Sequence, residues 1–271
     1  MEQGRKEKEL LFHDEAAAAI DLEGLDVEHA LSPVAESDQL VLRIIGSVEG
    51  KRILDLGCGA GLYSVFLARR GAKVCAVDLS PKMLELTRQL AERHGLTDKV
   101  EVSQMAGERL GFQSSCFDLV WSKAILHHLD VERAIGEIAR CLRKGGELVL
   151  SEPLGHNPLA NLYRYLAATF QRIRTPEESP LTYDTIERFR SLFSRVEKRE
   201  FILLSSALFA FHYLRALVTS TRLHPQWVND VRTGKVYPRL MGRMQRWDEA
   251  ILRRVPALRR YCNWVVVHCV K

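Results

Sequence analysis

A chain of 271 residues, 46% hydrophobic and 27% charged, is long enough to bury a full core as one large domain and too apolar to stay disordered. Its six cysteines form no Cys-x-x-Cys pair and most lie in apolar runs, which argues against a zinc site or disulfide framework and gives the expectation of reduced thiols in a cytoplasmic protein. The net charge of +5 is unevenly spread: residues 215–271 hold twelve Lys and Arg against three Asp and Glu, leaving residues 1–214 at −4.

Residues 1–46 read as an N-terminal helical lead or lid. The opening MEQGRKEKELLFHDE carries charge where a secretory signal needs an apolar core, so no export is expected. Five strand-like runs follow: RILDL (52–56), KVCAVDL (73–79), KVEVSQM (99–105), FDLVWS (117–122) and GELVLSE (146–152). The helical patterns SVFLARRG, SPKMLELTRQLAERHG and VERAIGEIARCLRKGG separate them, and such alternation predicts a doubly wound, mostly parallel sheet. Ser80-Pro81 reads as a helix start, and Gly95 and Gly145 as helix ends.

Past Glu152 the regularity changes. A loop and helix over PLGHNPLANLYRYLAATFQRI, a TPEESP linker, a helix from Thr182, a strand in VEKREFILL, a long helical segment and a last strand, NWVVVHCVK (263–271), are expected. The most apolar stretch, residues 201–218, is interrupted by His212 and Arg215 before it reaches the roughly 20 apolar residues of a membrane span. The predicted organisation is therefore a lead over 1–46, a cofactor-binding core over 47–153, and the remaining strands over 154–271 with helical cap insertions near 154–194 and 205–260.

In open α/β sheets ligands bind beyond the carboxyl ends of the strands, where strand order reverses. The stretch RILDLGCGAG puts Gly57, Gly59 and Gly61 there, with Asp55 just ahead. A dinucleotide fingerprint would need glycine at 62, which is Leu62, and no Gly-Lys-Ser/Thr follows to make a phosphate-binding loop. Asp78 ends the second strand 21 residues after Gly57, where a carboxylate can accept hydrogen bonds from both hydroxyls of a ribose. Alone, Asp78 reads equally as a helix cap or a solvated strand end.

The series LDLGCGAG, VCAVDLSPKMLE, FDLVWSKAILHHL and LRKGGELVLSEP resembles the class I S-adenosylmethionine-dependent methyltransferases, especially the group of the ubiquinone and menaquinone C-methyltransferases. The resemblance covers about residues 50–153. It implies a seven-stranded Rossmann-like sheet and S-adenosyl-L-methionine as cofactor. By position it implies that the backbone at Gly57 and Gly59 lies against the methionine part and that Gly61 allows close approach. Asp78 would hold the ribose, Leu79 and Met83 would pack near the adenine, and Ser122 and His127 would border the methionine moiety. Asp55 would meet the methionine ammonium, directly or through water. The chain departs from the family at Ala106, where a carboxylate for the adenine amino group is usual, leaving backbone groups of Ala106 and Gly107 to meet the adenine edge.

A sulfonium methyl is already electrophilic, so alignment and exclusion of water are the main requirements and a general base is optional. Candidates for that base are Glu152, His127, His128 and His156, each with packing or loop support as its plainer role. His156, Tyr163 and Tyr183 are further pocket candidates. No metal-ligand set is expected.

Trp121-Ser122-Lys123 stands where amide and adenine N-methylation would place Asn-Pro-Pro-Tyr, and Ser151-Glu152-Pro153 lacks the Pro-Cys of RNA cytosine methylation. The expected acceptor is a small, lipophilic metabolite, met by Phe209, Phe211, Tyr213, Leu214, Leu217 and Val218, which read equally as core packing, with peripheral membrane contact through the basic segment, whose plainer reading is a solvated face. The alternatives are an RNA methyltransferase using that segment, or a protein that binds the cofactor without catalysis.

Overall fold

The computed structural model describes residues 2–32, 35–166, 179–219, 230–231 and 236–271. Seven strands form one sheet: β1 (Arg52–Leu56), β2 (Lys73–Asp78), β3 (Val100–Gln104), β4 (Phe117–Lys123), β5 (Leu142–Pro153), β6 (Arg195–Phe201) and β7 (Trp264–Val270). Their order is β3-β2-β1-β4-β5-β7-β6, parallel up to β5, with β7 antiparallel to both neighbours. This is the expected doubly wound, mostly parallel architecture.

Nine helices of eight, or in one case six, residues and more are described: α1 (Glu2–Ala17), α2 (Glu36–Ile45), α3 (Leu62–Arg69), α4 (Pro81–Arg93), α5 (Val131–Cys141), α6 (Pro158–Leu166), α7 (Tyr183–Arg188), α8 (Ala207–Val218) and α9 (Pro238–Arg254). Side chains alternate across the sheet, so each strand feeds two cores. Ile53, Val74, Leu119, Trp121 and Val266 pack with Val41 of α2 and Val65 of α3 on one face. Leu54, Val77, Val120, Leu148 and Val267 pack with Ile135 and Ile138 of α5 and Ile186 of α7 on the other.

Local chemistry sets most boundaries. Ser80 caps α4 by accepting the Met83 N–H at 3.1 Å, ahead of Pro81 in the first turn, and Thr182 accepts the Thr185 N–H at the start of α7. One boundary departs from expectation. Helix α5 closes at Cys141 because the carbonyls of Arg140 and Cys141 accept the N–H groups of Ser115 and Cys116, the lead into β4. Pairing therefore begins at Leu142, and Gly145, with φ of +73°, bends an excursion within β5 opposite Asp118 instead of capping a helix.

His127 and His128 stand between β4 and α5. They lie in a single 3-10 turn, Leu126–His128, and α5 starts later with Asp130 accepting the Arg133 N–H.

Helices α8 and α9 follow β6. Met241, Gln245, Asp248 and Leu252 form the buried face of α9, and Asp248 accepts the N–H groups of Leu203, Leu204 and Ser205 together with the Ser205 hydroxyl, tying α9 to the turn that leads into α8. Among the described residues no helix is long and apolar enough to cross a membrane. Residues 175–178 of the expected linker, and the side chains of Tyr163, Tyr213 and Leu217, lie outside the described residues.

Candidate active site

Strand order reverses between β1 and β4, and the loops leaving β1 to β4 line a solvent-open cleft at the carboxyl edge. Gly57, Asp78, Leu79, Ala106, Gly107 and His128 line it, as expected from the sequence, together with Leu56, Val77, Met105, Glu108, Ile125 and Leu129.

Asp78 organises this edge. Its Oδ2 accepts the Gly59 N–H at 2.9 Å and its Oδ1 the Ser80 N–H at 2.9 Å. A carboxylate has about four acceptor positions, so two stay available toward the cleft. Gly57, at φ +74°, is covered so closely by Ile125 that a Cβ would lie 2.1 Å from the Ile125 Cγ1. Gly61, at φ +82°, admits close approach of a neighbouring helix: a Cβ there would meet the Thr87 Cα at 2.9 Å.

The other expected residues stand behind the wall. Asp55 is fully buried and accepts the Ser64 hydroxyl at 2.6 Å; burial pushes its carboxyl up to about 7. Met83 is buried in α4, and Ser122 is fully buried with no hydrogen-bond partner for its hydroxyl among the described residues.

Glu152 is also fully buried, away from the cleft lining. Its Oε1 accepts the N–H groups of Ile125 and Leu126 at 2.8 and 3.0 Å, and its Oε2 lies 2.9 Å from His127 Nδ1, while burial raises its carboxyl to about 7. A carboxyl group so occupied holds the turn after β4 and does not line the cleft. His127, 5% exposed, is tilted against His128 at 4.1 Å between ring centroids, and of the two it is His128 that reaches the cleft. His156 lies elsewhere, its Nε2 accepting the Tyr183 N–H at 3.0 Å while Tyr183 donates to Glu200.

Helix α1 supplies residues that sequence reasoning missed. Lys6, Glu9 and His13 complete the cleft lining, and the helix contacts three successive loops. Asp14 accepts the Ser80 hydroxyl after β2, Lys6 pairs with Glu108 after β3 at 3.4 Å, and Glu9 meets His128 after β4 at 3.1 Å. The spacing 6, 9, 13, which puts three polar side chains on one helix face, was the available signal.

Residues 54–150 match the family described as Methyltransferase domain. The segment is thus similar to the methyltransferase domains that its motifs resemble. The ubiquinone biosynthesis O-methyltransferase of Alkalilimnicola ehrlichii is 37% identical over 134 residues, which is 48% of this chain and 52% of that protein. The sarcosine/dimethylglycine N-methyltransferase of Halorhodospira halochloris is 33% identical over 129 residues, 45% and 46% of the two chains. The chain thus spans about half the length of the curated relatives it matches. The fold is shared with the geranyl diphosphate C-methyltransferase of Streptomyces coelicolor, with a TM-score of 0.56 and 16% identity over 87% of this chain and 79% of that one.

The lining of this cleft fits S-adenosylmethionine. Asp78 offers charged acceptors to a diol, Leu79, Met105 and Leu129 offer apolar surface to a flat base, and the space where a Gly59 Cβ would stand is open to 4 Å.

Proposed function

We propose that the protein transfers the methyl group of S-adenosylmethionine to a small, lipophilic metabolite. The observation that carries this reading is Asp78 at the cleft, braced by two backbone N–H groups yet able to accept more hydrogen bonds. When bound, the cofactor supplies an electrophilic methyl group. Asp78 accepts from its ribose hydroxyls, Leu79, Ala106 and Gly107 border its adenine, and Gly57 and Gly59 border its methionine part. Asp55 acts through Ser64 on the start of α3 rather than on the ligand, and Glu152 acts as a positioning residue that sets His127 and the turn bearing Ile125 and His128.

What the chain then contributes is alignment and shielding from water, the two effects a reactive methyl donor needs. Helix α1 covers the cleft. His128 is the imidazole on the lining that would take a proton from an enolic or phenolic acceptor.

Two features support a lipophilic acceptor and peripheral contact with a membrane. Helix α8 exposes Phe211, Leu214 and Val218, and α9 exposes Leu240 and Trp247 beside Arg239, Arg243, Arg246 and Arg254. The test is profiling of the purified protein on an extracted metabolite pool with methyl-labelled cofactor. Label in a lipid-soluble small molecule supports the proposal; label confined to RNA, or no transfer with the cofactor bound, overturns it.

A further inference from the structure

We propose that Glu9, His13 and His128 form a binding site for a divalent ion of the zinc type, which when filled fastens α1 to the turn after β4. This goes beyond methyl transfer and does not depend on it. Glu9 and His13 are four residues apart on α1, so their side chains share one face. His128 comes from the sheet side of the cleft, 119 positions away from Glu9.

One ligand atom from each of the three residues lies within 4.8 Å of the others. His128 Nδ1 is 3.1 Å from Glu9 Oε1, and His13 Nε2 is 3.6 Å from Glu9 Oε2. A tetrahedral ion with bonds of about 2.0 to 2.1 Å holds its ligand atoms about 3.3 Å apart, a spacing that small side-chain adjustments reach from donors already gathered within 4.8 Å. Two imidazoles with one carboxylate are the donors of zinc and its transition-metal neighbours, whereas calcium and magnesium take oxygen. Three protein ligands leave a further position for water or a molecule in the cleft.

The surroundings suit a held ion. Glu9 is only 6% exposed, so its carboxylate is held out of bulk water against the two imidazoles. The His128 ring is set from both sides, by His127, itself bound to Glu152, and by an edge-on His13 at 5.7 Å. Lys6, on the same helix face, is paired with Glu108.

The test uses the full chain, freed of metal with a chelator, titrated with Zn²⁺ in a calorimeter and with Co²⁺ in a spectrophotometer. One equivalent should bind, with visible Co²⁺ bands and without the near-ultraviolet charge-transfer band of a thiolate ligand. His13→Ala and Glu9→Gln should each weaken it at least about tenfold, since loss of an outer partner alone costs 10- to 100-fold. Circular dichroism checks that both variants keep the fold, and Zn²⁺ should slow proteolysis within α1 in the wild type only. No saturable binding by the wild type, or binding that both substitutions leave unchanged, overturns the site and leaves the three residues as a hydrogen-bonded cluster.

Discussion

The Asp78 carboxylate at the end of β2 accepts the Gly59 N–H at 2.9 Å, so one side chain both shapes the loop after β1 and faces the cleft. Asp78→Ala should therefore weaken S-adenosylhomocysteine binding at least about tenfold, the scale of losing one hydrogen bond to a charged group, roughly 1.5 to 3 kcal/mol. Asp78→Asn, which keeps one acceptor oxygen, should fall between. Calorimetry reads both, and an unchanged dissociation constant would put the ribose elsewhere.

Burial pushes Asp55 and Glu152 up to about 7 in the folded protein, from 3.8 and 4.5. The folded state thus holds protons that the unfolded chain releases between those limits. The associated stability is fully present below the unfolded values and is lost as pH rises through about 7, with a slope of at most about 1.4 kcal/mol per pH unit per group. Urea midpoints of the wild type should fall from pH 5 to 8 more steeply than those of Glu152→Gln. Parallel curves would mean that Glu152 is ionised throughout.

Gly61 and Gly95 both have positive φ, +82° and +67°, but only Gly61 is crowded. Substitution by alanine at Gly95 should cost about 1 to 2 kcal/mol from backbone strain alone. Gly61→Ala should cost more, because its Cβ would press on the Thr87 backbone. Denaturant unfolding of the pair decides whether α3 and α4 pack as closely as described.

Much of this was legible in the sequence, and the reasons differ by element. The seven strands were readable because each alternates or runs apolar, and β1 and β2 are also set off by nearby glycine or proline. Asp78 was readable because its distance from Gly57 follows from one strand-helix-strand unit. The early close of α5 was hidden, since the carbonyls that end it are taken by Ser115 and Cys116, distant in sequence. For the same reason Glu152 read as a base: nothing local reveals that Ile125, Leu126 and His127 occupy it. Glu9 and His13 were visible as a helix face, but their partner His128 was not.

The exposed arginines of α9 carry the membrane reading. Vesicles with acidic head groups should bind the protein at low salt and release it as salt rises, because exposed charges are screened over about 8 to 10 Å near physiological ionic strength. Replacing Arg239, Arg243, Arg246 and Arg254 together should reduce vesicle binding without changing cofactor affinity, since α9 does not line the cleft. Sedimentation with vesicles and with RNA side by side makes the comparison; strong RNA retention without vesicle binding would favour a nucleic-acid acceptor.

The most direct test of the central claim is calorimetric titration of the purified chain with S-adenosylmethionine, S-adenosylhomocysteine and NAD. The Gly57-x-Gly59-x-Gly61 loop and Asp78 predict saturable binding of the first two, one per chain, and none of NAD. Tight binding of NAD with neither sulfur ligand retained would contradict the account.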